Sequence, residues 1–343
     1  MGMNSPSTEC ALSVVVIGRN EGQRLALCLE SIRSIHGFNK VQLIYVDSAS
    51  TDRSPELASQ YGAEVIVINP QQPTAATGRN AGWVRASEEL ILFLDGDTVL
   101  HPDFPRAAVE AMCTDSGICA VWGNLRELHP NHSVYNRVLD LDWIYRPGIV
   151  EACGGNVLMR RSVLNQVGGF DAQLIAGEEP ELCRRLRARG HLILHIDVPM
   201  VEHDLHITTW SQYWTRARRG GYAYAQVSDR FRHSDDPLWL KASRRCFILG
   251  SFWGLSLAAA IVGSIRFTFI PLVAWFCLFV TLSLRSAWKA RWKSADAATL
   301  VLYGAHSHLQ NIPIWVGQLQ FMLDRVRGRQ RGIIEYKSES PKL

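Results

Sequence analysis

The sequence predicts an α/β fold, with a mostly parallel central sheet flanked by helices and followed by helices in a membrane. Between residues 11 and 120, β-branched apolar runs alternate with amphipathic stretches, which is the pattern of βαβ units. After residue 245, two stretches of 18 residues carry no charge, a length near the minimum for a membrane span. The third observation is an apolar run over 92–94 that leads directly into Asp95 and Asp97.

Hydrophobic periodicity predicts four strands and three helices in the N-terminal part. The strands cover 12–17, 41–46, 64–68 and 90–94. The helices cover 22–35, 54–61 and 77–86. The first strand is a continuous apolar run, as expected for a strand covered on both faces. No G-x-G-x-x-G follows it, so the dinucleotide-binding fingerprint is absent.

The pattern from 100 to 210 is more mixed. Helices are predicted over 102–112 and 180–189, and Gly190 is a stop signal for the second. Short strands are predicted over 118–122, 156–159 and 191–196. We place the end of the first domain, 11–210, at this point.

Composition argues against several protein classes. The 343 residues are 47% hydrophobic with a mean hydropathy of -0.01, enough for at least one large core. The eight cysteines form no C-x-x-C pair, which favours reduced thiols over a disulfide framework or a zinc site. The net charge of +4 is modest, and no nucleic-acid partner is expected. Residues 1–10 are polar, so we expect a disordered N-terminus and no signal peptide.

The charge-free stretches 246–263 and 267–284 predict a transmembrane helical hairpin over 246–284. Basic residues flank both of its ends, and by the positive-inside tendency both ends lie in the cytoplasm. The expected location is therefore the inner membrane, with the catalytic domain in the cytoplasm. A buried helical pair and re-entrant helices stay open, because both stretches are short.

Two basic amphipathic segments flank this hairpin. Residues 211–245 form a predicted connector, and residues 285–343 form a predicted membrane-surface segment and tail. Such segments suit anionic membrane lipids, which we expect as partners. The second segment is equally compatible with packing on the preceding domain.

Asp95 and Asp97 are the clearest candidate site in the sequence. Residues at i and i+2 of an extended segment point to the same side, and ligands of open α/β sheets bind beyond the carboxyl ends of strands. Two neighbouring carboxylates repel each other unless a cation is present. The pair therefore predicts a Mg²⁺ or Mn²⁺ site that holds a diphosphate. A simple strand-ending turn is the alternative.

Other polar groups follow neighbouring strands at the same sheet edge. Asp47 can accept a nucleobase N–H or a ribose hydroxyl, although helix capping is its alternative role. Arg79 lies near a helix start, where a diphosphate is well received. A surface salt bridge is the alternative for this arginine.

These runs, in their order and spacing, resemble the family 2 inverting glycosyltransferases, which have the GT-A fold. The resemblance covers roughly residues 11 to 210. The matching runs are 14–22, 47–52, 78–82, 92–98, 154–156, 168–171 and 177–182. It implies a nucleotide-sugar donor, most often a UDP-sugar in this family, and Mn²⁺ or Mg²⁺ as cofactor.

The resemblance also implies roles for individual positions. Asp95 and Asp97 match the D-x-D pair, with Asp97 the favoured metal ligand and Asp95 also facing the donor. The family's catalytic base, the second residue of a Glu-Asp motif, falls on Glu179 of the pair Glu178–Glu179, and Glu178 stays open. His203 is a possible further metal ligand. The predicted donor-binding positions are Ile17, Gly18, Arg19, Glu21, Asp47, Arg79, Asp95, Arg216 and Arg219. The predicted acceptor-binding positions are Trp122, Gly155 and Asn156.

The expected reaction is a single displacement that inverts the anomeric centre, with a membrane-associated, lipid-linked saccharide as acceptor. A carboxylate base favours a hydroxyl acceptor, because a polyprenyl phosphate is already ionised and needs no base. The polyprenyl-phosphate acceptor remains an alternative, as does a non-catalytic membrane scaffold that only binds nucleotide. A nucleotidyltransferase is a weaker rival. No Q-x-x-R-W run of processive synthases occurs.

Overall fold

The computed structural model describes residues 11–69 and 74–329. The expectations for residues 1–10 and for the end of the tail lie outside the described residues. The strands are β1 (Ala11–Gly18), β2 (Lys40–Asp47), β3 (Glu64–Val67), β4 (Leu90–Asp95), β5 (Thr98–Leu100), β6 (Ile118–Glu127), β7 (Gly148–Val150), β8 (Val157–Arg160) and β9 (Leu192–His203). The N-terminal helices are α1 (Gln23–Arg33), α2 (Ser54–Gln60), α3 (Ala75–Arg85), α4 (Phe104–Met112), α5 (Val134–Asp140), α6 (Arg161–Val167) and α7 (Glu178–Arg187). The C-terminal helices are α8 (Trp210–Phe231), α9 (Leu240–Arg266), α10 (Ile270–Lys289), α11 (Ala297–Leu309) and α12 (Asn311–Val326).

One mixed sheet organises the N-terminal part, which confirms the predicted α/β class. The strand order is β3-β2-β1-β4-β8-β6-β9-β5, and β7 pairs with β9. Strands β3, β2, β1 and β4 are parallel, whereas β8 runs antiparallel to β4. The register aligns Gly18 with Asp47 and Ile17 with Asp95. The polar ends of three strands therefore meet at one edge, as the sequence predicts.

Burial explains why these strands form. Val14, Val15 and Val16 are fully buried, because helices cover both faces of a parallel sheet. Strand β9 continues to His203, well beyond the predicted end at 196. Its second half pairs with β6 and β5 and mixes exposed residues with the buried pair Met200 and Val201, so no regular alternation marks it in the sequence.

Helices α9 and α10 are long and apolar enough to cross a membrane, judged by length and composition. Only 17% and 11% of their most apolar windows are buried inside the protein, so both present broad apolar surfaces. The predicted segment after the hairpin divides into α11 and α12 at Gln310, and Pro313 lies in the first turn of α12. Proline is tolerated there because the first N–H groups of a helix have no intrahelical partner.

Glycines bring these helices into backbone contact. A Cβ added to Gly221 of α8 would lie 1.9 Å from the carbonyl oxygen of Ile314 in α12. A Cβ added to Gly317 of α12 would lie 2.0 Å from the carbonyl oxygen of Arg218. Small residues permit such close helix crossings. Helix α12 is thus packed tightly against α8.

Candidate active site

The turn between β4 and β5 carries the two aspartates and is held by hydrogen bonds. The amide of Gly96 donates to the carbonyl of Ile17 at 2.8 Å. The Thr98 hydroxyl donates to the carbonyl of Asp95 at 2.7 Å. The amide of Asp95 donates to Asn156 Oδ1 at 3.0 Å. The turn is therefore fixed against both β1 and the start of β8.

Arg79 joins two of the predicted carboxylate motifs. Its Nη2 lies 2.9 Å from Asp95 Oδ1, and its Nη1 lies 3.0 Å from both Glu178 Oε1 and Glu179 Oε1. Burial alone lowers the pKa of Arg79, but the charges of these three carboxylates raise it further than burial lowers it. The guanidinium is therefore positively charged at any accessible pH, in contact with three acidic side chains.

The expected role of Arg79 as a direct diphosphate contact stays a prediction. The residue is only 2% exposed, and both of its terminal nitrogens contact carboxylates. These salt bridges are buried, so the alternative of a surface salt bridge is wrong. In this structure Arg79 orients the acidic groups.

Glu178 and Glu179 occupy the first turn of α7 in different surroundings. Gly177 is the N-cap of this helix and adopts a left-handed conformation with φ of +88°. The Glu178 side chain is 5% exposed and that of Glu179 is 17% exposed. Burial raises the pKa of Glu178 to about 7, the charge of Glu179 adds to the shift, and Arg79 opposes it. Glu179 is thus the more accessible of the two carboxylates.

We call the group of acidic side chains at this end of the sheet the acidic edge. Arg79 and its three carboxylate partners form one half of it, and Asp97 with His203 forms the other half. Asp97 Oδ2 lies 3.0 Å from His203 Nε2, because β5 and β9 pair with Thr98 opposite His203. Burial lowers the pKa of His203, although Asp95 and Glu127 oppose the shift. The imidazole is therefore neutral at pH 7, and its contact with Asp97 is a hydrogen bond between a neutral ring and a carboxylate.

The donor set at this edge suits a divalent cation. Carboxylate oxygens with an imidazole nitrogen are ligands that Mn²⁺ accepts. Among residues 11–69 and 74–329, no three acidic, His or Cys side chains already surround a common metal position. Asp95 Oδ2 receives no hydrogen bond from any described residue, so this oxygen is available beside Asp97 and His203.

The loops after β1 and β2 are bonded to each other. The amide of Asn20 donates to Ser50 Oγ at 2.9 Å, and Asn20 Oδ1 accepts from the amide of Thr51 at 2.7 Å. Asp47 is fully buried and accepts from the Tyr45 hydroxyl at 3.0 Å and the Ser50 amide at 2.7 Å. Here Asp47 shapes the loop, and a direct nucleotide contact by its carboxylate stays a prediction that requires this loop to open.

The three predicted acceptor-binding residues make contacts within the protein. Trp122 is 5% exposed and packs on His195 at 4.3 Å between ring centroids, because the middle of β6 lies in the core. Asn156 is buried and holds the Asp95 turn. A Cβ added to Gly155 would lie 1.9 Å from Arg79 Nη2, so this glycine leaves room for the guanidinium. Contact of these residues with an acceptor stays a prediction.

Two arginines of α8 act electrostatically on titratable groups of the acidic edge, and their contact with a donor stays a prediction. Arg216 contributes to the lowered pKa of His203, behind burial. Arg219 opposes the raised pKa of Glu178, which burial dominates. Both side chains are partly exposed. The structure therefore brings positive charge from α8 close to both halves of the edge.

Sequence reasoning missed two contributors to this region. The Trp143 ring stacks on the His203 ring, with centroids 5.1 Å apart. Buried Glu127 accepts hydrogen bonds from Asn136 at 2.9 Å and from the Leu205 amide at 3.1 Å. Burial raises the pKa of Glu127 to about 7. Neither residue belongs to a short motif. The pairing of β6 with β9 places Glu127 opposite His203, and the ring contact places Trp143 there.

The C-terminal helices also reach the catalytic part of the chain. His306 of α11 lies between the Tyr213 hydroxyl, at 2.7 Å from Nδ1, and Asp142 Oδ2, at 3.2 Å from Nε2. The Tyr303 hydroxyl donates to Asp142 Oδ1 at 3.0 Å. Asp142 directly precedes Trp143 in the chain. Helix α11 is thus bonded to the segment that covers His203.

The α8–α9 junction touches the start of α7. A Cβ added to Gly177 would lie 2.8 Å from the Trp239 ring. Trp239 is the N-cap of α9, adopts φ of +58° and packs on Tyr224 at 4.9 Å between ring centroids. The first candidate span therefore begins against the residue that precedes Glu178 and Glu179.

Comparison with known proteins agrees with this architecture. A family model described as glycosyl transferase family 2 matches residues 13–168, and one described as glycosyl transferase family 21 matches residues 104–315. Glycosyltransferase AglE of Haloferax volcanii is 25% identical over 197 residues, which are 54% of this chain and 64% of that protein. The O-antigen chain rhamnosyltransferase WbaN of Salmonella anatum is 25% identical over 197 residues, 52% of this chain and 62% of that protein. The chain thus spans less than two thirds of either relative.

A solved structure shares the fold over nearly the whole chain. The mannosyltransferase PcManGT from Pyrobaculum calidifontis, in complex with GDP-Man and Mn²⁺, superposes with a TM-score of 0.63 at 17% identity. The match covers 93% of this chain and 89% of that one. The expected GT-A fold is confirmed. The family 21 model covers more than half of the chain, so the chain belongs to that glycosyltransferase family, and its residues 13–168 also match the model of glycosyl transferase family 2.

Proposed function

We propose that the protein is a metal-dependent inverting glycosyltransferase that moves a sugar from a nucleotide-diphosphate donor to a hydroxyl of a membrane-associated acceptor. The observation that carries this proposal is the contact of Arg79 with Asp95, Glu178 and Glu179, each at about 3 Å. This contact brings the metal-type motif and the base-type motif to one edge of the sheet. A scaffold that only binds nucleotide does not need a partly accessible carboxylate, such as that of Glu179, beside this cluster.

Glu179 is the proposed general base. A base must be reachable by the proton it removes, and Glu179 is more exposed than Glu178. It takes the proton of the acceptor hydroxyl as that oxygen attacks the anomeric carbon opposite the departing nucleoside diphosphate. Arg79 holds Glu179 on one side, so the carboxylate is oriented before the acceptor arrives. Direct displacement inverts the anomeric configuration.

Asp97, His203 and the second oxygen of Asp95 are the groups proposed to hold Mn²⁺ or Mg²⁺. The ion supplies positive charge that offsets the charge of the leaving diphosphate. Arg216 and Arg219 add positive charge from α8, and we propose that they face the donor phosphates. The similar fold of PcManGT, solved with GDP-Man and Mn²⁺, supports a donor of the nucleotide-sugar class.

The C-terminal helices are the basis of our proposals for the acceptor and for the location of the protein. The exposed apolar surfaces of α9 and α10 support a membrane hairpin, and basic residues at both ends support a cytoplasmic active site. We therefore propose an inner-membrane enzyme of cell-surface polysaccharide or glycolipid synthesis. Its acceptor is a lipid-linked saccharide.

The direct test is nucleoside diphosphate release by the full chain in detergent. A panel of UDP- and GDP-sugars is supplied with Mn²⁺ or Mg²⁺, with and without membrane lipid extract as acceptor. Release from one donor that requires the metal and is abolished by EDTA supports the proposal. Asp97→Asn serves as the matched control, and we expect it to retain the fold and lose turnover. No release from any donor would favour the scaffold, and pyrophosphate release would identify a nucleotidyltransferase.

A further inference from the structure

A groove distant in sequence from every catalytic motif lies where α8, α9 and α12 meet. Its volume is about 980 Å³, at the upper end of the range for small-molecule sites. Each helix contributes residues at positions i, i+3, i+4, i+7 and i+8, beginning at Ala225, Leu240 and Gln318. This spacing is one continuous helical face. The groove is therefore a channel about two turns long between three helices.

The groove has a charged end and an apolar end. Arg232 at the end of α8, Arg325 near the end of α12 and Arg244 near the start of α9 line the charged end. Phe247 and Phe321 line the apolar part. A ligand with an anionic head and an apolar chain matches this distribution.

Positive charge at the charged end exceeds the negative charge available there. Asp229 is the acidic residue that lines the groove, and it contacts Arg325 and Arg232. Arg244 is exposed and makes no ion pair with any residue in 11–69 or 74–329. At least one guanidinium is thus available to an anion.

A buried acceptor inside the groove is also unsatisfied. Gln318 is 1% exposed and donates from Nε2 to Ser243, but its Oε1 has no partner among the described residues. Leaving such a group unpaired costs about 1–3 kcal/mol. Because this oxygen is itself closed to solvent, a hydroxyl of an occupant reaches it only if the wall of the groove moves.

The groove opens onto the surface that faces the proposed bilayer. Ile248 lines it and is 66% exposed, and Phe252 and Leu255 continue the exposed apolar face of α9. The charged end lies at the start of this candidate span, where lipid phosphates are found. We infer that the groove binds an anionic phospholipid, with the phosphate at Arg232 and Arg244 and one acyl chain along Phe247 and Phe321.

This site is separate from the reaction centre and rests on the proposed membrane attachment only. Phosphatidylglycerol is the probe, because it carries a phosphate and headgroup hydroxyls, and phosphatidylcholine is the zwitterionic comparison. The full chain in lipid-free detergent is titrated with each lipid, and bound lipid is counted by native mass spectrometry. We expect phosphatidylglycerol to bind more tightly than phosphatidylcholine. Short-chain dihexanoyl phosphatidylglycerol should bind more weakly than the long-chain form.

Two neighbouring arginines provide a matched pair of variants. Arg244 lines the groove, whereas the next residue, Arg245, is also exposed and does not line it. Arg244→Gln should weaken phosphatidylglycerol binding about five-fold, as expected for one basic residue worth about 1 kcal/mol at a lipid surface. Arg245→Gln should change it less than two-fold. Both side chains are exposed, and unfolding midpoints in lipid-free detergent check that both variants fold.

Three results would overturn the inference. Equal losses in Arg244→Gln and Arg245→Gln would indicate general surface charge, and equal binding of the two lipids would exclude headgroup recognition. Displacement of the lipid by inorganic phosphate at about 10 mM, a concentration that occupies a weak anion site, would identify a site for free anions instead. Sugar transfer is not the readout. An inactive chain that still binds phosphatidylglycerol would refute the proposed function and leave this site standing.

Discussion

Gly155 sets how closely the backbone can approach the Arg79 guanidinium. A methyl group at this position would lie 1.9 Å from Nη2, so Arg79 would have to leave at least one carboxylate. Breaking a buried ion pair costs about 3–5 kcal/mol. We therefore expect Gly155→Ala to lower both the unfolding midpoint and turnover. Gly154→Ala is the control, since nothing lies within 4 Å of a Cβ there, and a similar loss in both variants would refute this role.

The assignment of the base makes a second prediction at the residue scale. Glu179→Gln keeps a hydrogen-bonding group beside Arg79 but cannot accept the acceptor proton. We expect donor affinity within two- to three-fold of wild type and transfer reduced about a hundred-fold or more. Donor titration and a product assay measure the two quantities. Normal transfer by this variant would indicate either that Glu178 is the base or that the acceptor is a phosphate, which needs no base.

The surroundings of Glu178 predict a pH dependence of stability. Its folded pKa is about 7 against a model value of 4.5, so the folded state binds the proton more tightly than the unfolded state does. The contribution of Glu178 to stability is then fully present below pH 4.5 and is lost as the pH rises through 7. Glu127, whose pKa burial also raises to about 7, makes a similar contribution, so Glu178→Gln should reduce this fall rather than abolish it. Unfolding midpoints of the wild type and of this variant, measured across pH 4.5–8, test the prediction. Parallel pH curves of the two proteins would contradict it.

At the scale of elements, the α8–α12 crossing depends on two glycines but not on the neighbouring Gly220. Gly221→Ala places a methyl group 1.9 Å from the Ile314 carbonyl, which forces the helices apart. We expect a loss of about 1–3 kcal/mol. Gly220→Ala meets nothing within 4 Å and should stabilise α8 by about 1 kcal/mol. Unfolding midpoints that shift in the same direction would refute a tight crossing.

The elements were largely predictable because their causes are local. The buried strand β1 is an apolar run, and the edge that joins Asp47 with Asp95 follows from parallel pairing. The partners of Arg79 were not predictable, because Glu178 lies 99 residues away along the chain and only tertiary packing joins them. The ring contacts of Trp122 were not predictable for the same reason. Its neighbours His195 and Tyr145 come from other parts of the chain.

At the scale of the whole molecule, the C-terminal helices combine exposed apolar surfaces with polar contacts to the N-terminal part. The contact of His306 with Asp142 fixes α11 on the segment beside His203, while α9 and α10 expose apolar faces. We expect the full chain to sediment with membranes, to resist alkaline carbonate and to require detergent for release. Release by carbonate alone would contradict spanning helices and favour surface attachment.

The contact between Trp239 and Gly177 couples the proposed membrane span to the proposed catalytic carboxylates. Helix α9 has 27 residues and α10 has 20, which correspond to lengths of about 40 Å and 30 Å at 1.5 Å per residue. A long helix in a thin bilayer tilts to bury its apolar length. Because the N-cap of α9 rests on the N-cap of α7, such a tilt would shift Glu178 and Glu179. The rate of sugar transfer should therefore vary with the acyl-chain length of the surrounding lipids, so that the enzyme responds to membrane thickness.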